Sequence, residues 1–583
     1  MADQTAVSML IRLIKNLPIN SINLINLINL MLPKRLRSQT ALPLLLLLLP
    51  LLFLAAFFFY PLLNIFRLTL TSETIGEVVS RPYIIRVAWF TFWQAAVSTG
   101  LTLALGLPAA YLFARFEFPG RNLLRALATV PFVMPTVVVA AAFRTLLGNT
   151  GPVNQALMAL MGQERPVLQL EQTLAIILLA HIFYNLGVVI RLVGGFWANM
   201  NPRMVEAAQV LGASPWRAFR TVTLPLLRPP LLSASLLVFL FTFTSFGVIL
   251  LLGGPAFSTL ETEIYRQYVN FLEPDVAAVL SILQIAFTFI LMSLYAHWQQ
   301  RSAVALDFRP QAATRRPAQT TLQRTAVLLL VIGICLFLVT PLLTLAWRSF
   351  VGGDGRLTLA YYKALPVSRR GSITFIPPLA AVANSLGYAV LTVLSAGFLG
   401  LLSALVLARP SSLRRWLEPV FMLPLGASAV TLGLGYVVTL DRLRTSPLLV
   451  LIAHTLVAFP FVVRSLLPVL QGIRPSLREA AAVLGASPWR VWREVDLPIV
   501  GRALLVAAVF AFTVSLGEFG ATSFIARPNS GFLTMPIAIQ RYLSQPGALN
   551  FGQALAMSTI LMVVCAAGFV AIERFRIADI GEF

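Results

Sequence analysis

Charge is scarce in this chain. Only 11% of its 583 residues are charged, against 58% hydrophobic, and lysine occurs only at Lys15, Lys34 and Lys363. A water-soluble domain carries about 25% charged residues, so a water-facing surface over the whole molecule is excluded. A phosphate-binding loop of the GxxxxGK[ST] type needs a lysine directly after a glycine. None of the three lysines follows one, which excludes ATP binding of that kind by this chain. The two cysteines, Cys335 and Cys565, sit inside apolar runs, so a disulfide framework or zinc knuckle is not indicated and both read as small packing residues. His181, His297 and His454 are the only histidines, scattered along the chain without an HExxH or GxSxG motif. No catalytic residue, metal ligand or bound cofactor is assigned.

What is abundant is apolar length. Runs such as Leu42 to Leu63 and Ala326 to Trp347 exceed the roughly 18 residues that mark a membrane-spanning helix. The pattern predicts an all-α, polytopic membrane protein with about twelve spans. In the first half these fall near 41–63, 89–113, 126–147, 173–193, 230–252 and 274–298. In the second they fall near 325–346, 379–408, 416–440, 448–468, 503–524 and 552–573. The chain divides into an N-terminal extension at 1–40, a first half at 41–298, a hydrophilic linker at 299–324 and a second half at 325–583. In the extension Asn20, Asn23, Asn26 and Asn29 recur every third residue, and the basic cluster Lys34, Arg35, Arg37 follows them. That order argues against a cleaved signal peptide and leaves an interfacial helix or a dispensable extension.

The net charge of +22 comes mainly from arginines in short loops, the pattern that sets membrane orientation. A nucleic-acid binder concentrates its cations on one soluble face instead, so nucleic acid is not an expected partner, whereas the lipid bilayer is. The arginine bias places both termini on the cytoplasmic side. One opposite-side loop, with Arg348, Arg356, Lys363, Arg369 and Arg370, runs against that rule.

The organising feature is an internal repeat. Residues 206–217 read EAAQVLGASPWR and residues 479–490 read EAAAVLGASPWR, identical at eleven of twelve positions and offset by 273. The same offset pairs His181 with His454, Arg191 with Arg464, Leu224-Pro225 with Leu497-Pro498, and Ser245-Phe246-Gly247 with Glu518-Phe519-Gly520. This is a duplication. Six spans separate the two motif loops, an even number, so both face the same side and the halves form a parallel repeat.

Each motif loop predicts a short helix, a tight turn and a second helix. Pro202 and Pro475 suit a first helical turn, and Glu206-Ala207-Ala208 and Glu479-Ala480-Ala481 continue it. Gly212 and Gly485 close it in the left-handed region. Ser214-Pro215 and Ser487-Pro488 start the next helix, which Leu-Pro is expected to break. Two near-identical protrusions on one face suit two copies of one partner.

The segment EAAQVLGASPWRAFRTVTLPLLRP resembles the EAA loop of binding-protein-dependent ABC importer permeases. The matching positions are Glu206, Ala207, Ala208, Gly212, Ala213, Leu224 and Pro225, and Glu479, Ala480, Ala481, Gly485, Ala486, Leu497 and Pro498; the second copy departs at Gly501-Arg502. The resemblance runs from about residue 85 to the end. It implies a type I importer permease in the bacterial inner membrane, with two six-helix halves. It implies as partners two copies of an ATP-binding cassette ATPase docked on these loops, ATP being held there, and a solute-binding protein. It also implies that the two halves alternate in access.

The fused layout resembles the thiamine and iron(III) permeases. FWQAAVSTGLTLALGLPAAYLFARFEFPGR, ILLAHIFYN and LGGPAFSTLETEIYRQ look most like the thiamine branch; sulfate, molybdate and polyamine permeases remain alternatives. An ion-driven secondary transporter, which also uses duplicated halves, is the rival from another class, and a membrane scaffold is a second. Ionisable groups within spans mark pathways by default. Glu518 is read as lying inside the eleventh span, with its repeat mate Ser245 and nearby Thr242 completing a candidate solute pathway; the competing reading has Glu518 capping backbone or pairing with an arginine. His181 and His454 are read as polar packing residues at the half-to-half interface.

Overall fold

The computed structural model describes residues 41–70, 74–301, 315–367, 377–408, 412–526 and 531–575. The Asn-rich extension and residues 302–314 of the linker lie outside the described residues. Among the described residues ten helices are long and apolar enough to cross a bilayer, and two bent pairs bring the number to twelve if each is one span. Five straight helices belong to the first half: Leu46–Leu68, Pro82–Arg115, Leu174–Asn199, Pro215–Phe243 and Pro274–Trp298. Five belong to the second: Thr321–Arg348, Pro378–Leu407, Pro447–Gly472, Pro488–Ile525 and Ala548–Ala571.

The bent pairs occupy the same place in each half, as the third span. Arg121–Val133 meets Thr136–Met161 at 108°, and Arg414–Gly426 meets Ala429–Thr439 at 92°. Local sequence explains both. Proline inside a helix removes a hydrogen bond and crowds the preceding turn; Pro131 and Pro135 bracket the first bend, and Pro424 and Gly426 lead into the second. Pro135 and Ser428 then open the next helices with nearly equal extended backbone, ψ 138° and 140°.

The fifth spans correct the sequence reading. Leu224-Pro225 and Leu497-Pro498 do not break the helix, which runs on from Pro215 and Pro488. Single π turns at Phe219–Thr223 and Trp492–Asp496 lie directly before each Leu-Pro. The wider turn relieves the clash between the proline ring and the carbonyl four residues back. The break comes instead near the far end of the span. Leu224–Phe243 is followed by Gly247–Leu252, and Leu497–Gly517 by Gly520–Ile525. Glu518 therefore lies inside the span, at the break within it.

Within each half the second, fourth and fifth spans form a matching core. Ala110, Val189, Val193 and Val238 pack in one, and Ala404, Val462, Leu466 and Ala507 in the other. With lipid on the outside, helices associate through close packing of small residues. Gly106 and Gly400 provide the tightest points: a Cβ there would come within 2.7 Å of Val189 and 2.6 Å of Val462.

The halves also exchange their first spans. Leu54 and Phe58 of the first span share a core with Leu432, Tyr436 and Leu449 of the second half. In return Phe337 of Thr321–Arg348 packs edge-on against Phe183 of the first half, with centroids 5.9 Å apart. The linker's end is fastened as well. Arg316–Pro317 pairs in parallel with Phe116–Glu117, and Thr320 with Gln323 forms a capping box.

Replacing Gly106 or Gly400 by leucine should cost about 1–3 kcal/mol, the range for overpacking a close contact. The measurement is the Tm of the purified protein in detergent. Gly397→Leu, on the same span but with nothing within 4 Å of its Cβ, should leave the Tm unchanged.

Candidate functional site

Two regions emerge, a pair of loops on one face and a cavity on the axis between the halves. The loops have nearly the same geometry. The first short helix is Arg203–Val210, preceded by Pro202, and the second is Pro475–Val483 with its proline one position further inside. Each closes on a left-handed glycine, Gly212 at φ 87° and Gly485 at φ 82°. The closing bonds repeat: Gly212 N–H donates to the Gln209 carbonyl at 2.9 Å and Ala213 N–H to Ala208 at 3.0 Å. Gly485 and Ala486 donate to Ala482 and Ala481 at the same distances. Ser214 and Ser487 then cap the next helix, each hydroxyl accepting from the arginine N–H three residues on, at 3.3 and 3.4 Å.

Ala208 and Ala481, with Ala213 and Ala486, turn partly inward, while Glu206, Ala207, Glu479 and Ala480 are exposed. The turn carries an apolar cap to its outermost point. Val210 and Leu211 are 87% and 88% exposed, and Val483 and Leu484 are both 87% exposed. Trp216 and Trp489 stand beside them, each 70% exposed. Exposed apolar patches of this kind mark contact surfaces. The sequence reading selected the small and charged residues that shape the turn and omitted these six; their duplication in both copies was the available signal. The copies differ in one fastening: Arg478 pairs with Asp496 at 2.8 Å, where the first copy has Val205 and Thr223.

From Pro215 to Phe243 the helix runs 29 residues, or about 43 Å at 1.5 Å per residue. Its break is thus remote from the motif loop. The two breaks meet at the axis, where Phe246 and Phe519 stack with centroids 5.4 Å apart. Beside them lies a cavity of about 440 Å³, whose lining includes Phe132, Thr244, Ser245, Glu261, Ser428 and Glu518.

A histidine holds each break. His181 Nδ1 is hydrogen-bonded to Ser98 Oγ on the second span, and its Nε2 to Ser245 Oγ, both at 3.0 Å. His454 Nδ1 meets Ser515 Oγ at 2.8 Å and its Nε2 meets Thr522 Oγ1 at 3.1 Å. Both histidines are buried. They are polar packing residues, as the sequence suggested, but these bonds tie spans within one half and not the two halves together.

Of the candidate pathway residues, Ser245 and Glu518 line the cavity and Thr242 does not. The Thr242 hydroxyl bonds to its own helix, donating to Val238 at 2.9 Å; Thr244 takes the lining position. Glu518 behaves as the backbone cap that was its alternative reading. Its carboxylate accepts from Ala521 N–H at 2.7 Å, from Thr522 N–H at 3.1 Å and from the Thr522 hydroxyl, with His454 Nε2 at 3.4 Å. Among the described residues no three His, Cys, Asp or Glu side chains converge as a metal site.

Two duplicated halves, matched apolar caps on their motif loops and a cavity on the shared axis define a membrane permease. The family described as "Binding-protein-dependent transport system inner membrane component" matches residues 102–304 and again 396–577. The chain belongs to that family and is the membrane-spanning permease subunit of an ABC importer, a multi-pass inner-membrane protein that works with a solute-binding protein and an ATPase. It is similar to the thiamine transport system permease protein ThiP of Brucella abortus, at 28% identity over 84% of this chain and 88% of that protein. The ThiP of Escherichia coli is also 28% identical, over 84% of this chain and 89% of its own length. Among solved structures, a bacterial alginate ABC transporter in complex with an alginate-bound periplasmic protein aligns at 18% identity and TM-score 0.38. It covers 46% of this chain and 96% of its own.

Glu518→Gln should lower stability by about 1–3 kcal/mol, because an acceptor-only cap becomes an amide facing backbone donors. The checks are Tm and solute preference. A loss of stability with unchanged preference is expected; a changed preference at unchanged Tm would contradict the capping role.

Proposed function

We propose that this chain imports thiamine or a closely related organic cation, delivered by a solute-binding protein and driven by two copies of a separate ATPase. The observation that carries the solute assignment is its similarity to thiamine permeases across both halves and over most of each chain. Iron(III) is the nearest competing cargo of the fused layout. The matched loops support the ATPase stoichiometry, since two like apolar caps suit two like grooves. ATP sits on those partners; this chain holds no cofactor and carries out no chemical reaction.

Glu206, Ala207, Ala208, Gly212, Ala213, Leu224 and Pro225, with Glu479, Ala480, Ala481, Gly485, Ala486, Leu497 and Pro498, form the coupling loops in this reading. Val210, Leu211 and Trp216 and their mates make the contact itself. The halves are taken as 41–298 and 325–583, joined by the linker 299–324. With each bent pair counted as one crossing, six spans lie between the loops, so both face one side, the side of the N-terminus, four spans before the first loop. The arginine bias makes that side cytoplasmic and puts both termini there.

ATP binding then draws the two loops together and opens the halves outward; hydrolysis returns them to the inward state. Solute passes the axis between the breaks, along Ser245 and Glu518, with Thr242 holding its own helix behind them.

Gly212→Val combined with Gly485→Val should uncouple ATP hydrolysis from uptake. The left-handed conformation costs a side chain about 1–2 kcal/mol per site, and a Cβ meets nothing within 4 Å, so the damage is confined to the backbone of the turn. Uptake and ATPase stimulation in proteoliposomes are the readouts, and full uptake would overturn the docking assignment.

The cargo is tested by titrating the purified partner binding protein with thiamine, its phosphates and ferric iron. Selective thiamine binding is expected; selective ferric iron binding would reassign the cargo and leave the coupling reading intact.

A further inference from the structure

Two acidic side chains line the axial cavity, and they differ in how their charge is met. Glu518 is satisfied by its own helix end and His454. Glu261 is not. It is wholly buried and accepts from only two neutral groups, Ser428 Oγ at 2.5 Å and Gln284 Nε2 at 3.1 Å. Among the described residues it forms no ion pair, and no backbone N–H donates to its carboxylate. A carboxylate offers about four acceptor sites, and an unpaired charge at membrane depth is costly and marks a functional position.

The neighbourhood is also short of donors. Gln284 turns its amide nitrogen to Glu261, leaving its own oxygen buried without a partner. Buried polar atoms are nearly always satisfied, so the Glu261 carboxylate, which faces the cavity, is left with acceptor capacity for a donor or a positive charge from elsewhere. Aromatic faces stand next to it. Phe246 and Phe519 stack at the axis, and Tyr265, four residues along the helix from Glu261, lies 5.5 Å from Phe246. Such faces attract a cation once water is excluded.

We infer that Glu261 is the residue of this permease that recognises the cargo's positive charge, and that the cavity wall formed by Glu261, Phe246 and Phe519 is a subsite for a planar organic cation. The inference rests on the import reading above and specifies the site within it. Ser428 gives the subsite a second property. Its hydroxyl caps Ala429–Thr439, accepting from Val430 N–H at 3.1 Å, while donating to Glu261. Glu261 belongs to the first half and Ser428 to the second. A cation arriving at Glu261 replaces that hydroxyl and removes a direct bond between the halves.

The test is uptake into proteoliposomes by the whole transporter, with its ATPase and binding protein. The solutes are thiamine, its neutral thiophene analogue with carbon in place of the charged ring nitrogen, ferric iron, sulfate and molybdate. Three forms are compared: wild type, Glu261→Gln and Glu261→Asp. Wild type should move a cation. Glu261→Gln should reduce that uptake by at least about tenfold, the scale of removing one partner of a buried charge pair, with a smaller effect on the neutral analogue. Glu261→Asp, which keeps the carboxylate, should retain more cation uptake than Glu261→Gln.

Unchanged cation uptake in Glu261→Gln would overturn the inference, as would an equal loss of the cation and of its neutral analogue in that variant, since Glu261 would then be structural. Movement of sulfate or molybdate by wild type would also overturn it. Ferric iron uptake that is lost in Glu261→Gln would overturn the thiamine assignment and uphold Glu261.

Discussion

A helix that breaks within a bilayer exposes amide and carbonyl groups that lipid cannot hydrogen-bond, and the centre of this permease is arranged around satisfying them. Each fifth span ends at the axis and restarts after a few residues. At each break a buried histidine reaches from the fourth span: His454 joins Ser515 and Thr522 on either side of its break, and His181 joins Ser245 to Ser98 of the second span. The two breaks can then meet face to face through Phe246 and Phe519 without leaving polar ends to the lipid. The cavity exists because the helices stop there.

The duplication has been retained unevenly, and the pattern follows physical role. The motif loops kept almost every residue, because a left-handed glycine and a serine cap leave little freedom in a turn of that shape. At the axis the copies diverged. Ser245 meets its histidine through a hydroxyl, whereas its mate Glu518 supplies a carboxylate that caps the following helix. Across the axis, Glu261 reaches Ser428, while in the opposite direction Arg144 donates to the Leu543 carbonyl at 3.2 Å. Similar backbones thus enclose a chemically one-sided space, as a cargo without twofold symmetry requires.

The exchange of first spans binds this arrangement together. Each half carries one span from the other against its broken third span or its neighbours, so the halves remain associated while their axial surfaces separate. Within a half, the close glycine and alanine contacts of the second, fourth and fifth spans make a stiff unit. One continuous helix joins each motif loop to its break, about 43 Å away by helical rise in the first half.

The sequence by itself determined the class, the span count, the duplication and the shape of the motif loops. All of these are written locally: apolar length, a repeated dozen residues, and Gly-Ser-Pro turns whose conformations depend on few neighbours. It misread the Leu-Pro pairs as breaks, because the relieving π turn is a cooperative adjustment of the helix with no residue signature of its own. It placed Glu518 in its span without the break that this residue caps, and it overlooked Glu261. A glutamate looks alike in sequence whether its carboxylate is spent on a cap or left facing a cavity. Only the tertiary structure decided that, since the difference lies in donors brought from residues 167 positions away in the case of Ser428 and 23 in that of Gln284.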